Sequence, residues 1–84
     1  RTPTADGTVH PTAFVHPTAV LADGVSVGPF AVVGEGSRVG PRTHLAAGVK
    51  VGRDCRIGAD VVLHPNVVLY DDCALGDRVV VHAN

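Results

Sequence analysis

Every sixth residue from Val9 onward is aliphatic: Val9, Val15, Leu21, Val27, Val33, Val39, Leu45, Val51, Ile57, Leu63, Leu69, Leu75 and Val81. The chain has 23 Val, Leu and Ile residues among its 84. Chance fills thirteen chosen positions this way with odds on the order of one in ten million, so the period is a structural instruction. The other aliphatics obey it too. Val25, Val49, Val61, Val67 and Val79 stand two residues before a marked position, and Val20, Val32, Val62, Val68 and Val80 stand one before.

None of them falls one to three residues after a marked position. There the chain places Gly (Gly28, Gly34, Gly40, Gly52, Gly58, Gly76), then Pro (Pro11, Pro17, Pro29, Pro41, Pro65), then mostly Asp, Gly and Asn. Gly permits positive φ and Pro presets φ near −65°, so these are turn residues. A breaker every few residues excludes a helix. Each hexad therefore reads as a short strand ending in a turn, and a sixfold period of such units is a parallel β-solenoid. Three hexads close one triangular coil of 18 residues, and thirteen hexads make a little over four coils. Such a prism needs no aromatic centre, which fits a chain with three aromatics and no Trp. The period fails before residue 7, so residues 1–6 are expected to be a loose lead-in to a repeat segment spanning 7–84.

Composition narrows the function classes. A net charge of −1 argues against nucleic-acid or anionic-membrane binding driven by bulk charge. No run of 18 apolar residues forms a membrane span, and no basic segment followed by an apolar one forms a signal peptide. Two cysteines are no disulfide framework. With Met absent even at position 1, the chain reads as a piece of a longer protein.

These hexads resemble the hexapeptide-repeat acyltransferases. Within that superfamily the wording is similar to the UDP-3-O-acylglucosamine N-acyltransferases of lipid A biosynthesis. The stretches that carry the likeness are Val9-His10-Pro11-Thr12-Ala13, Val27-Gly28-Pro29-Phe30-Ala31-Val32-Val33-Gly34, Leu63-His64-Pro65-Asn66-Val67-Val68-Leu69-Tyr70, and Gly76-Asp77-Arg78-Val79-Val80-Val81-His82. The resemblance implies a left-handed β-helix, a homotrimer, a cytoplasmic location and, in the full-length parent only, an acyl carrier protein and a UDP-sugar as partners. It also implies a catalytic His two residues after a marked aliphatic position, acting as general base on the acceptor amine. That column here reads Pro11, Pro17, Asp23, Pro29, Glu35, Pro41, Ala47, Arg53, Ala59, Pro65, Asp71, Asp77, Ala83. It holds no His, so no catalytic residue carries over, and the segment is expected to be inactive alone, without cofactor or metal.

Other constellations have plainer readings. His10, His64 and His82 share one column directly after marked positions, with His64 and His82 on neighbouring coils. The related γ-class carbonic anhydrases bind zinc between protomers with three His, two of them four residues apart. Asp77 with His64 and His82 would be a formal donor set, since carboxylate can ligate zinc, but it departs from that spacing. The expectation is surface imidazoles at turn corners or between protomers. Ser26 and His44 stack without a carboxylate to orient a base, so they read as a polar ladder. Cys55 and Cys73 follow Ala19 and Ser37 in an inward column for small side chains, and are expected to be free thiols. Arg38 and Arg56 stack, with Lys50 and Arg42 expected nearby, as a solvated polar face.

Val32, Val62, Val68 and Val80 point away from the prism axis. An exposed apolar strip marks an interface. With His64 and His82 they form the expected trimer surface. The sequence thus reads as a non-catalytic, trimer-forming scaffold segment of such an N-acyltransferase, which would transfer a 3-hydroxyacyl group. The alternative is a self-standing or engineered solenoid module for assembly, with no enzymatic activity.

Overall fold

The computed structural model describes residues 7–83; the lead-in expected at residues 1–6 lies outside them, as does Asn84. Twelve two-residue strands follow one another: β1 (Phe14–Val15), β2 (Val20–Leu21), β3 (Ser26–Val27), β4 (Val32–Val33), β5 (Arg38–Val39), β6 (His44–Leu45), β7 (Lys50–Val51), β8 (Arg56–Ile57), β9 (Val62–Leu63), β10 (Val68–Leu69), β11 (Ala74–Leu75) and β12 (Val80–Val81). Each ends on a marked aliphatic residue. The thirteenth, Val9, forms a parallel bridge to Val27.

The strands sort into three four-stranded parallel sheets, β1-β4-β7-β10, β2-β5-β8-β11 and β3-β6-β9-β12, here called the first, second and third faces. Every pairing joins residues 18 apart, such as Leu45 with Leu63 and Val33 with Val51. The result is a left-handed parallel β-helix of about four coils, as expected.

Side-chain alternation explains the pattern. The second residue of each strand points inward and the first outward. From Ala19 to Leu69 the marked aliphatics and the residues two before them are buried without a break. Two of these inward positions are polar, and each is satisfied. Ser37 Oγ donates to the Gly52 carbonyl at 2.6 Å and accepts the Cys55 N–H at 3.0 Å. Thr43 Oγ1 donates to the Gly58 carbonyl at 2.8 Å and accepts the Val61 N–H at 3.2 Å. Among the described residues no buried side-chain polar atom lacks a partner, as a dry core requires.

At the corners, the third residue after the marked aliphatic has positive φ in every turn from Gly24 to Arg78. Asp54, Asp60, Asn66 and Asp72 suit that conformation. Phe30, Arg42 and Arg78 do not, yet they adopt φ of 60°, 61° and 60°. Their side chains point into solvent, and the coil closure imposes the backbone. Gly40, directly after a marked position, is required for a different reason: a Cβ there would lie 2.5 Å from the Gly58 carbonyl of the next coil.

Candidate functional site

The corner between the third and first faces collects most of the expected site residues. His64 and His82 follow β9 and β12, whose backbones are locked by the His64 N–H donating to the Val81 carbonyl at 3.0 Å. Their rings stack with centroids 4.3 Å apart and planes 20° apart. Val62 and Val80 pair in register on the third face beside them. Val62 is half-buried, while Val80 is 51% exposed.

On the first face, the outward ladder reads Phe14, Val32, Lys50, Val68. Lys50 therefore separates the two valines. Its Nζ donates to the Gly48 carbonyl at 2.9 Å and the Phe30 carbonyl at 3.2 Å, which turns the charge toward the corner. Lys50 is thus on a different face from Arg38 and Arg56, contrary to the grouping expected from sequence. Position within the coil, not closeness in the sequence, decides the face.

The sequence reading missed the aromatics. Phe14, Phe30 and Tyr70 are all exposed, on the first face or on the corners that flank it. Their positions one before, three after and one after marked aliphatics are all outward in this repeat, and that was the available signal. With Val68 they enlarge the apolar surface around the first face.

The remaining constellations stand apart. On the second face Arg38 and Arg56 pair in register, and neither guanidinium has a hydrogen bond or ion pair among the described residues. Arg42 is committed to Asp60 through two contacts of 2.8 and 3.0 Å. Those hydrogen bonds hold the Asp60 carboxyl below the ordinary carboxylate range, with Arg78 adding to the effect. Asp71 is lowered as well, chiefly because it accepts the Arg53 N–H at 2.8 Å. Ser26 and His44 pair in register on the third face with Val62 above them, a ladder without a carboxylate. Cys55 and Cys73 are free, the former fully buried with Sγ donating to the Tyr70 carbonyl at 3.2 Å.

Asp77 is not available to the imidazole pair in this arrangement. Its Oδ1 accepts the Ala59 N–H at 2.8 Å at the corner between the second and third faces. Among the described residues no three His, Cys, Asp or Glu side chains converge as a metal group. No described helix is long and apolar enough to cross a membrane.

Comparison with known proteins agrees with this geometry. The bacterial transferase hexapeptide (six repeats) family profile matches residues 30–64 and 54–84. No curated protein sequence matches the chain. Among solved structures, a histidine-to-asparagine mutant of perosamine N-acetyltransferase from Caulobacter crescentus, in complex with CoA and GDP-perosamine, is similar at TM-score 0.62 and 22% identity, over 95% of this chain and 54% of that one. PerB from the same organism, with the same two ligands, is similar at TM-score 0.58 and 25% identity, over 93% of this chain and 49% of that one. The chain spans about half the length of these structures.

Proposed function

Since the chain belongs to the bacterial transferase hexapeptide family, we propose that it is the β-helix scaffold of an N-acyltransferase acting on a nucleotide-linked amino sugar. The finer reading is the UDP-3-O-acylglucosamine type of lipid A biosynthesis, with a 3-hydroxyacyl group delivered by acyl carrier protein in the cytoplasm. CoA is the ligand named for the similar Caulobacter proteins, so a CoA thioester is the donor to test beside acyl carrier protein. The segment's own role is to assemble as a homotrimer through Val32, Val62, Val68, Val80, His64 and His82.

One observation carries the non-catalytic part of the proposal. General-base catalysis needs a group that can take a proton near neutral pH within reach of the amine. The column two residues after the marked aliphatics holds none of the five histidines. Among the described residues the stacked imidazoles, His64 and His82, stand one residue after marked aliphatics, with no carboxylate hydrogen-bonded to either ring. The test is an acyl-transfer assay of this chain with acetyl-CoA or acyl carrier protein donor and UDP- or GDP-linked amino sugar. No turnover above the uncatalysed rate is expected. Turnover above the uncatalysed rate by the unaltered chain would overturn it.

A further inference from the structure

His10 and His16 are built into their turns through Nδ1. The Thr12 N–H donates to His10 Nδ1 at 3.1 Å, and Thr12 Oγ1 lies 2.8 Å from the same nitrogen. Thr18 does the same to His16, at 3.1 and 2.9 Å. Each hydroxyl also accepts from the next coil, Thr12 from the Phe30 N–H at 3.1 Å and Thr18 from the Gly36 N–H at 2.9 Å. The imidazole, its own turn and the coil above are thus tied together at one threonine, twice in succession. His44, His64 and His82 have no ring hydrogen bond among the described residues.

A ring nitrogen that accepts a backbone N–H must be unprotonated, because the amide nitrogen cannot accept in return. A second proton on either ring would set two N–H groups head on at 3.1 Å. The Thr hydroxyl can reverse its bond; the Thr N–H cannot. We propose that His10 and His16 are acid-released clasps of the coil that holds β1 and β2, closed while the imidazoles are neutral and opened when protonation of Nδ1 expels each ring from its turn.

The surroundings do not stabilise a charged ring inside the closed turn. Facing His10 from the coil above are Gly28, Pro29 and Phe30, none of which titrates, and the Lys50 ammonium bonded to the Phe30 carbonyl. Facing His16 are Gly34 and Glu35, with Asp54 packed over Gly36 from the coil beyond. Within its own coil, Phe14 meets the His16 ring edge to face, with centroids 6.3 Å apart. Among the described residues no carboxylate forms an ion pair with either ring. Imidazole is the side chain that changes charge between about pH 5 and 8. Closure and protonation exclude each other, so the clasp is complete above the ordinary imidazole range and is lost as pH falls through it. That window lies above the acid limb of Asp60 and Asp71. The device needs neither acyl transfer nor trimer assembly, so it stands or falls separately from the proposed function.

The experiment compares urea unfolding of the full chain at about pH 7.5 and about pH 5, read by circular dichroism, with that of His10→Asn combined with His16→Asn. Asn Oδ1 stands where Nδ1 stood and accepts the N–H two residues on, as in an Asx turn, but does not titrate. Over that interval the folding equilibrium constant of the unaltered chain is expected to fall about tenfold more than that of the double variant. His16→Asn alone should show an intermediate loss, which keeps the test open should the double variant not fold. His44→Asn should lose as much as the unaltered chain. Amide exchange, corrected for the intrinsic rate at each pH, locates the effect. Protection of the Phe30 and Gly36 N–H groups should fall in acid in the unaltered chain and hold within about twofold in the double variant. Equal acid losses in the unaltered chain and His16→Asn, or a Gly36 protection that acid leaves unchanged in the unaltered chain, would overturn the proposal.

Discussion

The His-Pro corners at the two ends of the prism share a sequence pattern and close in different ways. At His10-Pro11-Thr12 and His16-Pro17-Thr18 the imidazole accepts the Thr N–H, and the Thr hydroxyl accepts from the coil above: Phe30 N–H at 3.1 Å and Gly36 N–H at 2.9 Å. With Oγ1 already accepting, its proton goes to Nδ1, which fixes the proton of each ring on Nε2. At His64-Pro65-Asn66 the third residue instead takes φ 67° and its N–H donates to the Ala47 carbonyl one coil below, at 3.0 Å. The backbone closes that corner, and the ring stacks on His82 instead of entering the turn. The same His-Pro pair has its ring bonded into its own turn at one end and stacked on the next coil's imidazole at the other. The change from Thr to Asn in the third position accompanies it.

This contrast is open to attack one residue at a time. Thr18→Val should do most harm, because it removes an acceptor from the Gly36 N–H and a partner from His16. Two bonds at about 1 kcal/mol each give a loss of about 2 kcal/mol in urea unfolding. His16→Ala should cost about 1 kcal/mol, since the hydroxyl keeps its bond to Gly36 and finds water for its proton. His64→Ala should stay within about 0.5 kcal/mol. If His64→Ala destabilises as much as His16→Ala, the two corners are not different in kind.

A third kind of corner, closed by charge, should respond to acid through its carboxylates. The folded Asp60 and Asp71 carboxyls sit below their ordinary values. Their contribution to stability is therefore complete above the ordinary carboxylate range and is lost as pH falls through the lowered values. Asp60→Asn should flatten the acid limb of a stability-against-pH curve below about pH 4. Both carboxyls are exposed, so this is the smallest of the expected effects. An unchanged acid limb would remove Arg42 as the cause.

The repeat was legible because its period and the inward–outward alternation of strands are the same regularity. Once Val27, Leu45 and Leu63 are marked, Ser26, His44 and Val62 must face outward, and stacking at 18 residues brings His64 against His82. The inward column Ala19, Ser37, Cys55 was legible for the same reason. The sequence did not show which closure a corner takes. Thr12 and Asn66 occupy equivalent positions after His-Pro, yet the Thr12 N–H goes to His10 Nδ1 within its own turn, whereas the Asn66 N–H goes to the Ala47 carbonyl of the coil below. Positive φ at Phe30, Arg42 and Arg78 was equally hidden, because local preference opposes it and coil closure prevails. Lys50 looked like part of a basic group until the three faces separated it from Arg38 and Arg56.

The central claim is that the outward valines of the first and third faces are an assembly surface. Sedimentation equilibrium across a wide concentration range tests it most directly. The account expects a species of three times the 8.6 kDa protomer mass. It also expects Val62→Asp combined with Val80→Asp, both at outward positions, to yield a folded monomer. A monomer at every concentration in the unaltered chain, or a trimer that the double substitution leaves intact, would contradict it.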